Sequence, residues 1–160
     1  MILTDYVPLA ALTVAGLIAA WMDVFSRRIP NWLSGITALA GLAMGAVAGG
    51  LPVLGSEFAH MAIVLVAGMA MFRIGVFGGG DAKFYAAVAA WFVLSKAVML
   101  LVSITLCGLI LFLVWFGYRR ARRLPINRKK SDDLFDSLPY GVAIGAGAIM
   151  TAALGVAPLT

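Results

Sequence analysis

Residues 97–117 read AVMLLVSITLCGLILFLVWFG, 21 residues without one charged side chain. Wound as an α-helix at 1.5 Å per residue, the run is roughly 32 Å long, which matches the hydrocarbon core of a bilayer. No soluble helix of that length needs to be apolar on every side. The rest of the chain has the same character. Of its 160 residues 63% are hydrophobic and 12% are charged, against about half and a quarter in a soluble domain. There is too little polar surface to cover a water-facing globule, and too much apolar surface for disorder. The single cysteine, Cys107, excludes an intramolecular disulfide framework and a cysteine-based zinc knuckle.

Five further apolar runs lie at 7–22, 32–50, 59–76, 82–94 and 140–157. Gly and Pro punctuate the gaps, at Pro30, Pro52, the Gly78-Gly79-Gly80 run and Pro139. No alternation of period two competes with helix. The expected fold is an all-α polytopic membrane protein of six transmembrane helices, a single domain over residues 1–160. The fourth run is short for a crossing, about 20 Å. Charge arbitrates. With six spans, three loops share one side and hold 11 of the 12 Lys and Arg, leaving Lys96 on the other. The positive-inside rule then puts those loops in the cytoplasm and both termini outside. A re-entrant fourth element would place the cluster from Arg119 to Lys130 outside. The N-terminus does not read as a cleavable signal, because Asp5 precedes the first apolar run and Arg27-Arg28 follow it.

Residues 118–138 form the one long polar segment, with seven basic and three acidic residues. It is expected to be a cytoplasmic loop resting on anionic lipid head groups. It has neither the aromatic interleaving nor a motif of a nucleic-acid binder.

Seven acidic residues remain to be placed. Asp5, Glu57, Asp132, Asp133 and Asp136 fall in expected loops or at a solvated end, with His60 beside Glu57 in an outer loop. With one histidine and one cysteine, a metal centre or a Ser-His-Asp triad has little to build on. Asp23 and Asp81 differ. Asp23 ends the first apolar run, and Asp81 ends Gly78-Gly79-Gly80. Both are expected at the cytoplasmic ends of their helices, at one depth, where an ionisable group is costly. Each has a plain structural reading: Asp81 as a helix N-cap, Asp23 paired with Arg27 four residues on. Together they suit general acid–base activation of water. Two close carboxyls share one proton; the ionised one takes a proton from water and the protonated one polarises a carbonyl. The glycines let a substrate backbone approach and let a helix unwind where it lines a cavity. The dipole at the start of its helix favours an ionised Asp81, which would leave the shared proton on Asp23.

Gly78-Gly79-Gly80-Asp81 fits the G-x-G-D motif of the GxGD intramembrane aspartyl proteases. With Asp23 in its Asp-x(3)-Arg-Arg-Ile-Pro-Asn context, Lys83 two residues after Asp81, and Pro139-Tyr140-Gly141 before the last span, the chain resembles the type IV prepilin peptidase family. It looks most like the short CpaA/TadV type that serves tight-adherence (Flp) pili. The resemblance implies a GxGD aspartyl protease-like bundle in the bacterial inner membrane. Its activity would be removal of the leader from prepilins, after a glycine and before their apolar N-terminal helix. Asp23 and Asp81 would be the catalytic aspartates. Gly78, Gly79, Gly80, Lys83, Pro139, Tyr140 and Gly141 would line the site or meet the substrate. Long members of the family also carry paired Cys-x-x-Cys motifs and methylate the new N-terminus. This chain has one cysteine, so no zinc, no other cofactor and no methyltransferase activity are expected. Blander readings stand beside these. Lys83 can be a snorkelling lysine, Pro139 a helix-start residue and Tyr140 an interfacial aromatic. The chain could also be a small ion or proton transporter, or a non-catalytic subunit of a pilus machine.

Overall fold

The computed structural model describes residues 2–122 and 138–154, and the side chains from residue 7 onward within them. Most of the polar segment at 118–138, with Asp132, Asp133 and Asp136, lies outside the described residues, as does the side chain of Asp5. All regular elements among the described residues are helical: α1 (Ile2–Ser26), α2 (Asn31–Arg73), α3 (Gly79–Ala89), a 3-10 turn (Leu94–Lys96), α4 (Ala97–Ala121) and α5 (Tyr140–Leu154). Three segments are long and apolar enough to cross a membrane: Val7–Ser26, Asn31–Arg73 and Leu94–Ala121. α5 is a shorter apolar helix.

α2 has 43 residues. Straight, it would be about 64 Å long, twice the hydrocarbon thickness. It is not straight, because Gly50 interrupts it with φ 65° and ψ −155°, a conformation essentially reserved for glycine. The two arms fold back on each other. A Cβ at Gly45 would run into the carboxyl of Glu57, two residues that a straight helix would hold about 18 Å apart. The arms, residues 31–49 and 51–73, correspond to the second and third apolar runs. The turn between them is tighter than the expected outer loop, and residues 51–58 are helical. Glu57 and His60 therefore do not sit in a solvated loop. They are 1% and 0% exposed, because their face of the second arm points inward.

α3 is shorter than the expected fourth span. It begins inside the glycine run and stops at Ala89, about 16 Å later. Its surroundings account for that length. α3 and the residues after it lie between the arms of α2, with Ala82 against Gly68 and the Ala90 carbonyl and Trp91 indole against Gly41. Phe84, Val88, Trp91 and Phe92 are fully buried or nearly so. The Trp91 indole Nε1–H donates to the carbonyl of Thr37 at 2.8 Å. The non-helical backbone at residues 90–92 is enclosed by protein, the condition under which a membrane protein tolerates it.

α5 closes the bundle through small residues. Gly16 of α1 faces Gly145 across a gap in which a Cβ would meet backbone at 3.3 Å, and Gly147 lies against Ile104 of α4. Such contacts let helix backbones approach where no hydrophobic drive separates helix from lipid. Outward-facing Leu17, Leu39, Val66 and Leu113 are exposed in the isolated chain, as lipid-facing side chains must be.

Candidate active site

α1 ends in a turn that the sequence alone would not favour. Arg27 has φ 52°, the left-handed region, and its N–H donates to the carbonyl of Asp23 at 3.0 Å. This caps the helix where glycine is usual. The chain then runs through Ile29 to Pro30 and enters α2. Asp23 is thus held in the last turn of α1, 7% exposed. Its Oδ2 accepts the main-chain N–H of Gly141 at 2.7 Å. Gly141 is the second residue of α5, so a backbone donor at a helix N-terminus meets a carboxylate. A side chain at residue 141 would prevent this. Its Cβ would lie 2.9 Å from the Ile29 side chain and 3.0 Å from Asp23 Oδ2.

Asp81 is the third residue of α3, whose N-cap is Gly78. The carbonyl of Gly78 accepts the N–H of Ala82 at 3.0 Å. The Asp81 carboxyl folds back over Gly78, so a Cβ there would be 2.6 Å from Oδ2. Gly80 faces the Ile29 backbone, with the Cβ position 3.6 Å from its carbonyl oxygen, and Gly79 packs on the ring of Phe72. Ile29 consequently touches the glycine run on one side and Gly141 on the other, and the two aspartates come together around it. Their proximity shows in their electrostatics. Burial first, and the charge of Asp23 second, push the Asp81 carboxyl up from 3.8 to about 6.

The remaining sequence candidates divide. Tyr140 belongs to the cluster: its ring meets Phe77 edge-on, centroids 5.2 Å apart, and it is near enough to Asp81 for the charges to interact. It also packs on Gly108 of α4. Pro139 starts α5 with its carbonyl accepting the N–H of Val142. Lys83 bonds elsewhere. Its Nζ donates to Asn31 Oδ1 at 3.0 Å, tying the first turn of α3 to the first residue of α2. Sequence reasoning did not single out Ile29, Asn31 or Phe77. Ile29 and Asn31 do lie in the Asp-x(3)-Arg-Arg-Ile-Pro-Asn run, which was the available signal.

Asp23 receives a strong N–H donor, which suits an anion. Asp81 is half-buried, and the charge of Asp23 disfavours its ionised form.

Chemically, the arrangement holds two carboxyls at adjacent helix ends, next to glycine backbone and two aromatic rings. Among the described residues no group of three His, Cys, Asp or Glu could hold a metal ion. In comparisons with known proteins, no curated protein and no solved structure matched the chain. The sequence profile of the type IV leader peptidase family matches residues 10–114, which include most of α1 with Asp23, both arms of α2 and α3 with Asp81. The match spans well over half of a strongly apolar, all-helical chain, and this membrane protein belongs to the type IV leader peptidase family.

Proposed function

We propose that the protein is a membrane aspartyl endopeptidase that removes the leader of type IV or Flp prepilins after a glycine, at the cytoplasmic membrane face, for pilus assembly. One observation carries the reading: the fold draws Asp23 and Asp81, the two acids set apart by their place in the sequence, into one electrostatically coupled pair.

In this reading Asp23 is the base. Its carboxylate takes a proton from water as the oxygen attacks the scissile carbonyl, while the Asp81 acid donates to the carbonyl oxygen. Collapse of the resulting diol returns a proton to Asp81, the C–N bond breaks, and the proton on Asp23 passes to the leaving amine. The products are a leader carboxylate and a pilin with a free amino terminus. Gly78, Gly79 and Gly80 leave room for the extended substrate backbone. Tyr140, Pro139 and Gly141 border the site, and Lys83 holds α3 in place through Asn31.

In this reading the two arms of α2, together with α1, α3, α4 and α5, serve as the six segments of the bundle. With 11 of the 12 basic residues on one side, the termini lie outside and the aspartates near the cytoplasmic face of the inner membrane. The close succession of the first and second apolar runs and the single cysteine favour the tight-adherence branch, without zinc or methyl transfer. The substrates are prepilins with an apolar N-terminal helix, met in a bilayer with anionic head groups.

The test is cleavage of a purified prepilin in proteoliposomes by wild type, Asp23→Asn and Asp81→Asn. Both variants should keep the fold and lose cleavage. Substantial cleavage by either would rule out the two-aspartate mechanism, and proton flux dependent on both would favour a transporter.

A further inference from the structure

A second pair of ionisable side chains lies far from the aspartates. Glu57 and His60 are on the second arm of α2, three residues apart, so both face the same way. They are 1% and 0% exposed. Glu57 reaches across to Gly45 on the first arm, where any side chain would collide with its carboxyl. Gly45 is 14 residues from Asn31, about 21 Å along the arm. That places the pair in the half of the bundle nearer the Gly50 turn.

His60 is held by the segment that follows α3. Its Nδ1 is 2.8 Å from the carbonyl oxygen of Phe92. A carbonyl only accepts, so Nδ1 carries the hydrogen and Nε2 presents a lone pair. That Nε2, and Oε2 of Glu57, are buried with no hydrogen-bond partner among the described residues. Leaving one such group unsatisfied costs about 1–3 kcal/mol. Two of them on one face, both acceptors, call for a guest that brings positive charge.

The pattern matches a known way of presenting metal ligands. A ligating histidine characteristically donates its other ring N–H to a carbonyl or carboxylate, which fixes tautomer and orientation. A Glu-x-x-His step on an inward helix face also occurs in helical-bundle metal sites, where carboxylates from other helices complete the ligand set. We propose that Glu57 and His60 form a binding site for one divalent transition-metal ion, with Glu57 oxygen and His60 Nε2 as protein ligands and water completing the shell. The absence of side-chain bulk at Gly45 makes room for the carboxylate. The site is separate from the proposed peptidase chemistry and does not depend on it.

The test uses the untagged full-length protein in lipid nanodiscs, as wild type and as Asp23→Asn/Asp81→Asn, titrated with Zn2+ against a chromophoric chelator. The expected result is one equivalent bound by both forms. Affinity should fall about tenfold or more in Glu57→Gln and His60→Gln. Gly45→Ala should also weaken binding while keeping both ligands. Substituted Co2+ should give visible bands that change in His60→Gln, a readout that simple misfolding, checked by thermal denaturation, does not mimic. No stoichiometric binding would overturn the proposal, and the two acceptors would then be filled by water or a proton alone. So would binding that is lost in Asp23→Asn/Asp81→Asn and indifferent to Glu57 and His60.

Discussion

The main-chain N–H of Gly141 donates a 2.7 Å hydrogen bond to Oδ2 of Asp23, joining the last turn of α1 to the first turn of α5 across 118 residues of sequence. This single bond orients one carboxylate of the pair, and it exists because residue 141 has no side chain. Gly141→Ala places a Cβ 2.9 Å from Ile29 and 3.0 Å from the carboxylate, so Asp23 or the start of α5 must move. A displacement near 1 Å at a reacting group costs on the order of 100-fold in rate. Prepilin cleavage by Gly141→Ala is expected to fall about that far, mostly in kcat, with helix content by circular dichroism unchanged.

The Asp81 carboxyl stands at about 6 rather than 3.8. Below 3.8 the group is protonated folded or unfolded and costs nothing. As pH rises through about 6, the folded state must ionise an acid that burial and Asp23 resist, and stability is lost. Asp81→Asn removes that loss. Its thermal midpoint in detergent should equal or exceed that of wild type at pH 7.5, by the equivalent of about 1–3 kcal/mol. The difference should shrink at pH 4. Cleavage by wild type needs one proton on the pair, so its rate should decline above about pH 6. These values belong to the pair rather than to one residue.

Gly50 makes the α2 hairpin with φ 65° and ψ −155°. Gly50→Ala forces a Cβ into a region that only glycine visits freely, at about 1–3 kcal/mol. Thermal unfolding should show a loss of that size. A more severe outcome, an α2 unable to reverse, would expose α3 and appear as protease sensitivity in residues 90–93.

Lys83 and Asn31 are partnered at 3.0 Å on an exposed face. Lys83→Met and Asn31→Ala should each reduce cleavage by less than tenfold, and their double-mutant coupling should be about 0.5–1 kcal/mol, as for exposed polar pairs. Complete inactivation by Lys83→Met would instead mark the lysine as a participant in the chemistry.

Much of the molecule was legible in one dimension. Hydropathy located α1, α4, α5 and both arms of α2, because crossing a bilayer demands a run of apolar residues whatever their neighbours are. Gly78-Gly79-Gly80-Asp81 announced the start of α3, since glycine and aspartate have local reasons to begin a helix. The same logic singled out Asp23 and Asp81, the acids that end an apolar run and a glycine run. Side-chain surroundings were not legible, because they depend on which faces meet. Glu57 and His60 read as a solvated loop from their place between apolar runs, yet the tight turn at Gly50 continues the helix through them and turns them inward. α3 looked too short for lipid, and only its enclosure by the α2 arms explains how it ends after 11 residues. The Lys83–Asn31 bond, the wedge at Ile29 and the Gly141 donor join residues 52, 51 and 118 positions apart. Apolar length is a property of each segment alone, so the sequence determined it. Contact across the bundle is a property of the packed whole, and only the tertiary structure decided which backbone and side chains surround Asp23 and Asp81.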